Sequence, residues 1–426
     1  MKIAIIGSGI SGMTAAWKLY KDHEITVFEA NKHVGGHTHT HDVTLGDRHW
    51  AVDTGFIVFN DWTYPNFIAL LDELGVESQP SCMGFSVKCE KSGLEYNGHT
   101  LNTLFAQRSN LLRPSFHRMI RDILRFNREA PTLLESDDHD TTLGEYLERN
   151  HYSRQFIEHY IVPMGSAIWS AVPEMMYRFP VYFFVRFFRN HGMLSINDRP
   201  QWRVIRGGSR EYMTKMVAPF RDRVRLNTPV AMIRRTPTHV LVKPVGGEAE
   251  LFDQVFIASH SDQALRLLVD ASPFEREILG AIPYQHNRAV LHTDSHLMPK
   301  RRRAWAAWNY HIRPDADDRP AALTYNMNIL QTLDAPEPFL VTLNYEEAID
   351  PAKVIATVDY DHPVFTGPGA VAQTRQELIN GANRTYFVGA YWRNGFHEDG
   401  VVSALNALDH FTARQRDEER DLRRTG

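Results

Sequence analysis

Six residues near the amino terminus, Gly7-Ser8-Gly9-Ile10-Ser11-Gly12, have the types and spacing to hold a pyrophosphate. Gly7 permits a tight turn, Gly9 lets backbone N–H groups approach phosphate oxygens, and Gly12 lets a following helix pack closely on the preceding strand. Ser11 belongs to the same loop. Glu29 lies 22 residues beyond Gly7, close to the usual spacing for a carboxylate that hydrogen-bonds a ribose hydroxyl. Such a set binds a dinucleotide and leaves NAD, NADP and FAD open.

The elements that must position these groups surround them. Ile3-Ala4-Ile5-Ile6 reads as a parallel strand buried on both faces, and the glycines open a helix that runs to about Lys21. Glu24 to Phe28 reads as a second strand ending at Glu29. Glycines in a loop are often only a turn, but strand, glycines, helix, strand and acid in that order argue for binding.

Composition bounds the rest. The chain has 426 residues, with 47 Lys+Arg against 51 Asp+Glu and a net charge of −4, so two or three domains are expected. Hydrophobic residues at 43% and charged residues at 23% support a real core and exclude a disordered chain. The near-neutral charge argues against a nucleic-acid binder. No apolar stretch is long enough to span a bilayer, and the run Ile3–Ile6 is too short for a signal peptide. Cys82 and Cys89 match neither a disulfide framework nor a metal signature, so no metal is expected, and a reducing cytoplasm fits.

Past the second strand, Ala30-Asn31-Lys32-His33-Val34-Gly35-Gly36-His37-Thr38 resembles the E-A-x-x-R-x-G-G-R pattern of the flavin amine oxidase superfamily, with His33 and His37 where arginines are typical. A hairpin over Val43–Val52 leads to Asp53-Thr54-Gly55-Phe56, which is similar to that superfamily's D-x-G segment. The resemblance implies FAD, bound non-covalently, with Gly35, Gly36, His37 and Thr38 among its partners and Gly55 and Phe56 beside the isoalloxazine. Val224–Val230 resembles the strand whose backbone meets the adenine side, at Val230. Tyr386–Tyr391 and Glu398–Ala404 look like the closing strand, loop and helix, which implies flavin contacts from Gly389, Asp399, Gly400 and Val401. A helix beginning near Asp399 would aim N–H groups at the flavin's O2 and N1 region, where negative charge accumulates on reduction. Ala390 departs from the acidic residue that many relatives carry. Neither cysteine lies in the C-terminal motif where related oxidases attach the flavin covalently.

The implied fold is α/β: a discontinuous, Rossmann-like FAD domain over residues 1–60, 200–265 and 380–426, and a substrate domain over 61–199 and 266–379, partly helical with a mixed sheet roofing the flavin. Strand-like alternation at Arg288–Thr293, Ala304–His311, Ala322–Asn328 and Phe339–Asn344 supplies that sheet. His292, Trp308, Tyr325 and Asn328 are candidates for the substrate side, although a one-residue register error would invert the set. Ser115–Glu129 reads as a basic amphipathic helix, either a solvated face or one that meets an anionic membrane. Phe179, Tyr182, Phe183, Phe184, Phe187 and Phe188 are either core or a lipid-facing mouth or acyl tunnel.

Within the superfamily the chain looks closest to bacterial predicted NAD/FAD-binding oxidoreductases encoded beside cyclopropane-fatty-acid-synthase-like methyltransferases. Asp361-His362-Pro363-Val364-Phe365, Tyr325-Asn326-Met327-Asn328 and Ala167-Ile168-Trp169-Ser170 carry that resemblance. It implies desaturation of methyl-branched acyl chains on the way to furan fatty acids, with functional coupling to the methyltransferase; the basic helix and the aromatic cluster point to phospholipid as the carrier of those chains, in the cytoplasm at the inner face of the membrane. The alternatives are a soluble, oxygen-using amine oxidase and a non-catalytic flavin-binding partner of a lipid-modifying enzyme.

Overall fold

The computed structural model describes residues 1–136, 138–169, 171–314 and 319–425; Ser170 of the Ala167–Ser170 stretch lies outside them. Five parallel strands form the sheet beneath the site, in the order Val224–Arg225, Glu24–Phe28, Lys2–Ile6, Gln254–Ile257 and Thr385–Phe387. Successive side chains of a strand point to opposite faces. Ile3 and Ile5 therefore pack with the helix Ile10–Leu19 and the C-terminal helix His397–Thr425, while Ala4 and Ile6 pack with the antiparallel strands Val230–Arg235, Val240–Pro244 and Glu250–Phe252. Both faces are covered, which is why the first strand is apolar throughout.

Lys2–Ile6 lies between Glu24–Phe28 on one side and Gln254–Ile257 on the other, so the chain order reverses at this strand. Open α/β sheets bind ligands beyond the carboxyl ends of strands at such a switch point. Gly7, Glu29, Ala258 and Gly389 follow those ends and meet there.

Above them stands a second, mixed sheet of seven strands: Val354–Pro363, Tyr284–His292, Leu340–Leu343, Ala322–Asn326, Trp308–Ile312, Phe85–Cys89 and Glu95–Asn97. Phe85–Cys89 runs parallel to Trp308–Ile312 and the other pairs are antiparallel. The helices Pro114–Glu129, Val162–Trp169 and Val181–Asn190 close the far end around an aromatic core.

That core accounts for most of the phenylalanine cluster. Phe179, Phe184 and Phe188 are buried and stack among Trp169 and Phe126, so they do not form a lipid-facing surface. Arg178, Arg186 and Arg189 stay exposed, with the Arg186 guanidinium over the Phe183 ring. Among the described residues no helix is long and apolar enough to cross a membrane.

Candidate active site

One cavity of about 1310 Å³ runs from the glycine loop, under the mixed sheet, to the helical end. It exceeds the roughly 300–1,000 Å³ of a site for one drug-sized molecule, and so has room for an extended dinucleotide and a second ligand. Gly7, Gly9, Ser11, Glu29, Gly35, Gly36, His37, Gly55, Phe56, Val230 and Gly389 all line it.

The glycines differ in what they do. Gly7 has a φ of +103°, and a Cβ there would sit 2.8 Å from the Ala258 carbonyl oxygen. At Gly12 a Cβ would be 2.1 Å from the Gly7 oxygen, so this glycine serves helix packing and stands behind the wall. Gly9 has no atom within 4 Å of its ideal Cβ and faces the cavity, which leaves the loop backbone open to a phosphate. Glu29 is buried and accepts from Ser8 N at 2.9 Å, Ser8 Oγ at 2.6 Å, Asn31 N at 2.8 Å and Asn31 Nδ2 at 3.0 Å. Two of these donors are rotatable side chains, so ribose hydroxyls can take their places.

Thr38, Asp399, Gly400 and Val401 also stand one layer behind the wall. The Thr38 hydroxyl joins Tyr212 and His397 in a buried hydrogen-bonded group. A Cβ on Gly400 would meet Ile10 Cγ2 at 2.7 Å, so the C-terminal helix is seated directly on the first turn of Ile10–Leu19. Asp399 accepts from Asn394 N at 3.2 Å and Phe396 N at 2.9 Å, which shapes the lining loop Asn394–His397; burial raises it to about 6. Val401 is core.

Asp53 works in the same indirect way. Its carboxylate accepts from Thr40 Oγ1 at 2.6 Å, Ser209 Oγ at 2.8 Å and Gln331 Nε2 at 3.1 Å, tying the hairpin, the loop before the helix Arg210–Val217 and the roof together. Gly55 and Phe56 are thereby held at the cavity. A Cβ on Gly55 would lie 2.1 Å from the His37 carbonyl oxygen, and the Phe56 ring lies against the His397 ring, centroids 3.5 Å apart and planes 10° apart.

The middle of the cavity is rich in neutral imidazoles. His37 stacks on Tyr360 at 4.8 Å and lies 5.3 Å from His362 and 6.3 Å from His260. Burial, reinforced by those histidines, holds His37 well below the ordinary imidazole value; burial sets His362 at about 4 and His397 at about 3. His37 is therefore uncharged in the protein by itself, unlike an arginine, and its buried Nε2 has no hydrogen-bond partner among the described residues. The open backbone at Gly9, the ribose-type carboxylate Glu29 and this unsatisfied ring nitrogen fit FAD.

The register of the roof decides which candidates face inward. Trp308 pairs with Tyr325 across neighbouring strands, and both rings line the cavity 5.3 Å apart, edge to face. His292 falls on the other face: its Nε2 meets Thr342 Oγ1 at 2.7 Å, in a buried column with Thr324 and His311, so it does not reach the substrate side. Asn328 does not either. Its amide donates to the Glu337 carbonyl at 3.0 Å and accepts from Phe339 N at 2.7 Å, closing a loop.

Several lining residues escaped the sequence reading. Tyr360 and His362 lie two apart on Val354–Pro363, a strand whose period-2 pattern was detectable, and hence share a face. At the helical end Tyr96, Tyr160, Met164, Ile168 and Trp169 line an apolar extension together with Phe187, the one member of the phenylalanine cluster that stands at the cavity as the tunnel alternative expects. Phe187 stacks on Phe396 of the C-terminal loop at 5.4 Å. Nothing local in these helices distinguishes a wall position from core.

A parallel dinucleotide sheet that opens into a chamber under a mixed sheet defines a flavin-dependent oxidoreductase. The family model for flavin containing amine oxidoreductases matches residues 10–300, and the chain belongs to that family, with FAD as its cofactor. Solved structures agree on the fold. Cyclohexylamine oxidase from Brevibacterium oxydans IH-35A superposes with a TM-score of 0.70 at 17% identity, covering 97% of this chain and 99% of that one. The CLA-producing fatty acid isomerase from P. acnes gives 0.68 at 14% identity over 96% and 98%. Putrescine oxidase bound to putrescine gives 0.66 at 15% identity over 97% and 99%.

Proposed function

We propose that the protein is an FAD-dependent dehydrogenase that desaturates fatty acyl chains of phospholipids, methyl-branched chains in particular. The observation that carries this reading is the apolar extension of the cavity, walled by Tyr96, Tyr160, Met164, Ile168, Trp169 and Phe187. Among the described residues no carboxylate serves it: the three that line the cavity are Glu29 at the nucleotide end and Asp359 and Asp361, which pair with Arg288 and His286. An alkyl chain needs such a passage, whereas a cationic amine gains nothing from it. That a protein of this fold is a fatty acid isomerase supports an acyl substrate.

FAD held by the glycine loop and Glu29 would supply, at N5, the acceptor for a hydride from a substrate C–H bond. In the proposed reaction the neighbouring carbon loses a proton to water and a C=C bond forms. The chain's own residues hold the alkyl segment, with Trp308 and Tyr325 on the roof side. A methyl-branched substrate implies an earlier methyl-transfer enzyme with which this one is coupled.

The second reading is a soluble amine oxidase, favoured by the edge-to-face Trp308 and Tyr325 pair, which suits a neutral amine. Anaerobic reduction of the bound flavin separates the two. Vesicles of methyl-branched unsaturated phospholipid are expected to bleach its visible absorption; bleaching by an amine panel alone would overturn the acyl-chain reading.

A further inference from the structure

The segment from Leu101 to Glu129 holds six arginines and two acids, Asp122 and Glu129, in a chain whose net charge is −4. Asp122 is buried, with Oδ2 accepting from Ser153 N at 2.9 Å and Oδ1 3.8 Å from Arg125, and Glu129 pairs with Arg125 at 3.9 Å and Arg128 at 3.0 Å, so these two acids are engaged at the last turns of the helix. On the helix Pro114–Glu129 the residues Phe116, Met119 and Phe126 face the core, leaving His117, Arg118, Arg121, Leu124 and Arg128 outward. Arg118 and Arg121 are exposed and form no ion pair among the described residues.

Between these cations stand bare leucines: Leu101 is 77% exposed, Leu112 88%, Leu111 50% and Leu124 48%. They belong to one surface. The Arg108 guanidinium bonds to the Phe105 carbonyl and the Asn102 amide oxygen, His117 Nε2 to the Leu111 carbonyl at 2.8 Å, and the Phe105 ring lies 5.6 Å from Phe116. Single exposed leucines are ordinary; four with unpaired arginines around them are the composition of a membrane-surface helix. The face also adjoins the cavity. Gly98 and His99 are exposed, line the cavity beside Tyr96, and lead directly into Leu101.

We infer that the face made by Leu101–Leu104, Arg108–Leu112 and Pro114–Glu129 docks on an anionic phospholipid bilayer and sets the His99 rim of the apolar passage against it. This role rests on the acyl-lipid reading above, but the surface can be tested without it. Guanidinium groups pair with lipid phosphates, the leucines enter the head-group boundary, and an acyl chain passes from bilayer to cavity without crossing open water.

The test is co-sedimentation of the FAD-loaded full chain with vesicles of saturated, straight-chain lipids, which cannot be desaturated by a branch-specific enzyme. Binding to phosphatidylglycerol vesicles, little binding to phosphatidylcholine, and release at about 0.5 M salt are expected. Arg118→Gln with Arg121→Gln is expected to weaken partition roughly 30-fold, about 1 kcal/mol for each cation. Leu111→Ser with Leu112→Ser is expected to weaken it as well, and both variants should keep the flavin and its reduction by detergent-dispersed substrate. Equal binding by variants and wild type, or no preference for anionic lipid, overturns the inference. So does a wild-type dimer that the leucine variant converts to a monomer while vesicle binding is absent, because the face would then join two copies. Vesicle binding without bleaching by branched lipid upholds the surface and defeats the substrate reading; bleaching without binding does the reverse.

Discussion

Asn287 donates from Nδ2 to Nδ1 of His362 across 2.9 Å, and this contact selects the tautomer that the imidazole presents to the cavity. The amide cannot be turned round, because its Oδ1 accepts from Asn344 Nδ2 at 2.9 Å while Nδ2 also donates to the Gln285 carbonyl at 3.1 Å. His362 Nδ1 is therefore an acceptor and its proton sits on Nε2. The ring is a neutral donor, not a base.

His362→Phe keeps an aromatic ring and removes that donor. It is expected to lower kcat/KM with the acyl substrate about tenfold, the size of one hydrogen bond, with little change in Tm. Asn287→Asp places an acceptor opposite Nδ1 and draws the proton there. Imidazole nitrogen NMR shifts should show the exchange of tautomers, and unchanged shifts would contradict the assignment.

Gly9 and Gly12 should fail differently. A side chain on Gly9 enters open cavity, whereas one on Gly12 meets the Gly7 oxygen at 2.1 Å. Gly9→Val is expected to purify as a folded, colourless protein that binds no FAD. Gly12→Val is expected to be insoluble or strongly destabilised. A yellow Gly9→Val protein would show that the pyrophosphate lies elsewhere.

Acid should destabilise the fold earlier than its carboxylates suggest. Burial holds His397 and His311 at about 3 and His191, His292 and His362 at about 4. These folded values lie below the unfolded value of roughly 6.5, so their stabilisation is complete above it and is lost as pH falls through it towards the folded values. Each fully buried ring can withdraw on the order of 3 kcal/mol. Asp53 and Asp399, raised to about 6 by burial, act with the opposite sign: their contribution is present at low pH and is lost as pH rises through about 6. With five histidines against two carboxyls, Tm is expected to fall between pH 7 and pH 5, and His397→Phe to blunt the fall. A melt that is flat over this range would mean that the rings are not buried and neutral.

Flavin release tests the mode of attachment. Cys82 lines the cavity, and Cys89 is buried in the strand Phe85–Cys89. Neither lies near the closing loop Gly389–His397 in sequence. Brief acid denaturation is expected to leave all the yellow colour in the supernatant, and colour retained in the pellet would indicate a covalent link.

The nucleotide end was legible in the sequence because its chemistry is backbone chemistry. Gly7, Gly9 and Gly12 are set by φ and by the absence of a Cβ, and Glu29 by a short count along a strand–helix–strand unit, so local order specifies them. The substrate end was not legible, because it is built by pairing. His292 and Tyr325 are equally plausible as residue types, and only the register that sets Trp308 beside Tyr325 and Thr342 beside Thr324 turns one away and the other inward. Phe184 and Phe187 are three positions apart on one helix and both belong to the aromatic core, yet only Phe187 also lines the cavity. Sequence by itself determined the dinucleotide loop and the alternation of the strands. Which face of each strand and helix meets the chamber was decided by tertiary packing, since a period of 2 or 3.6 defines a face but not what lies against it.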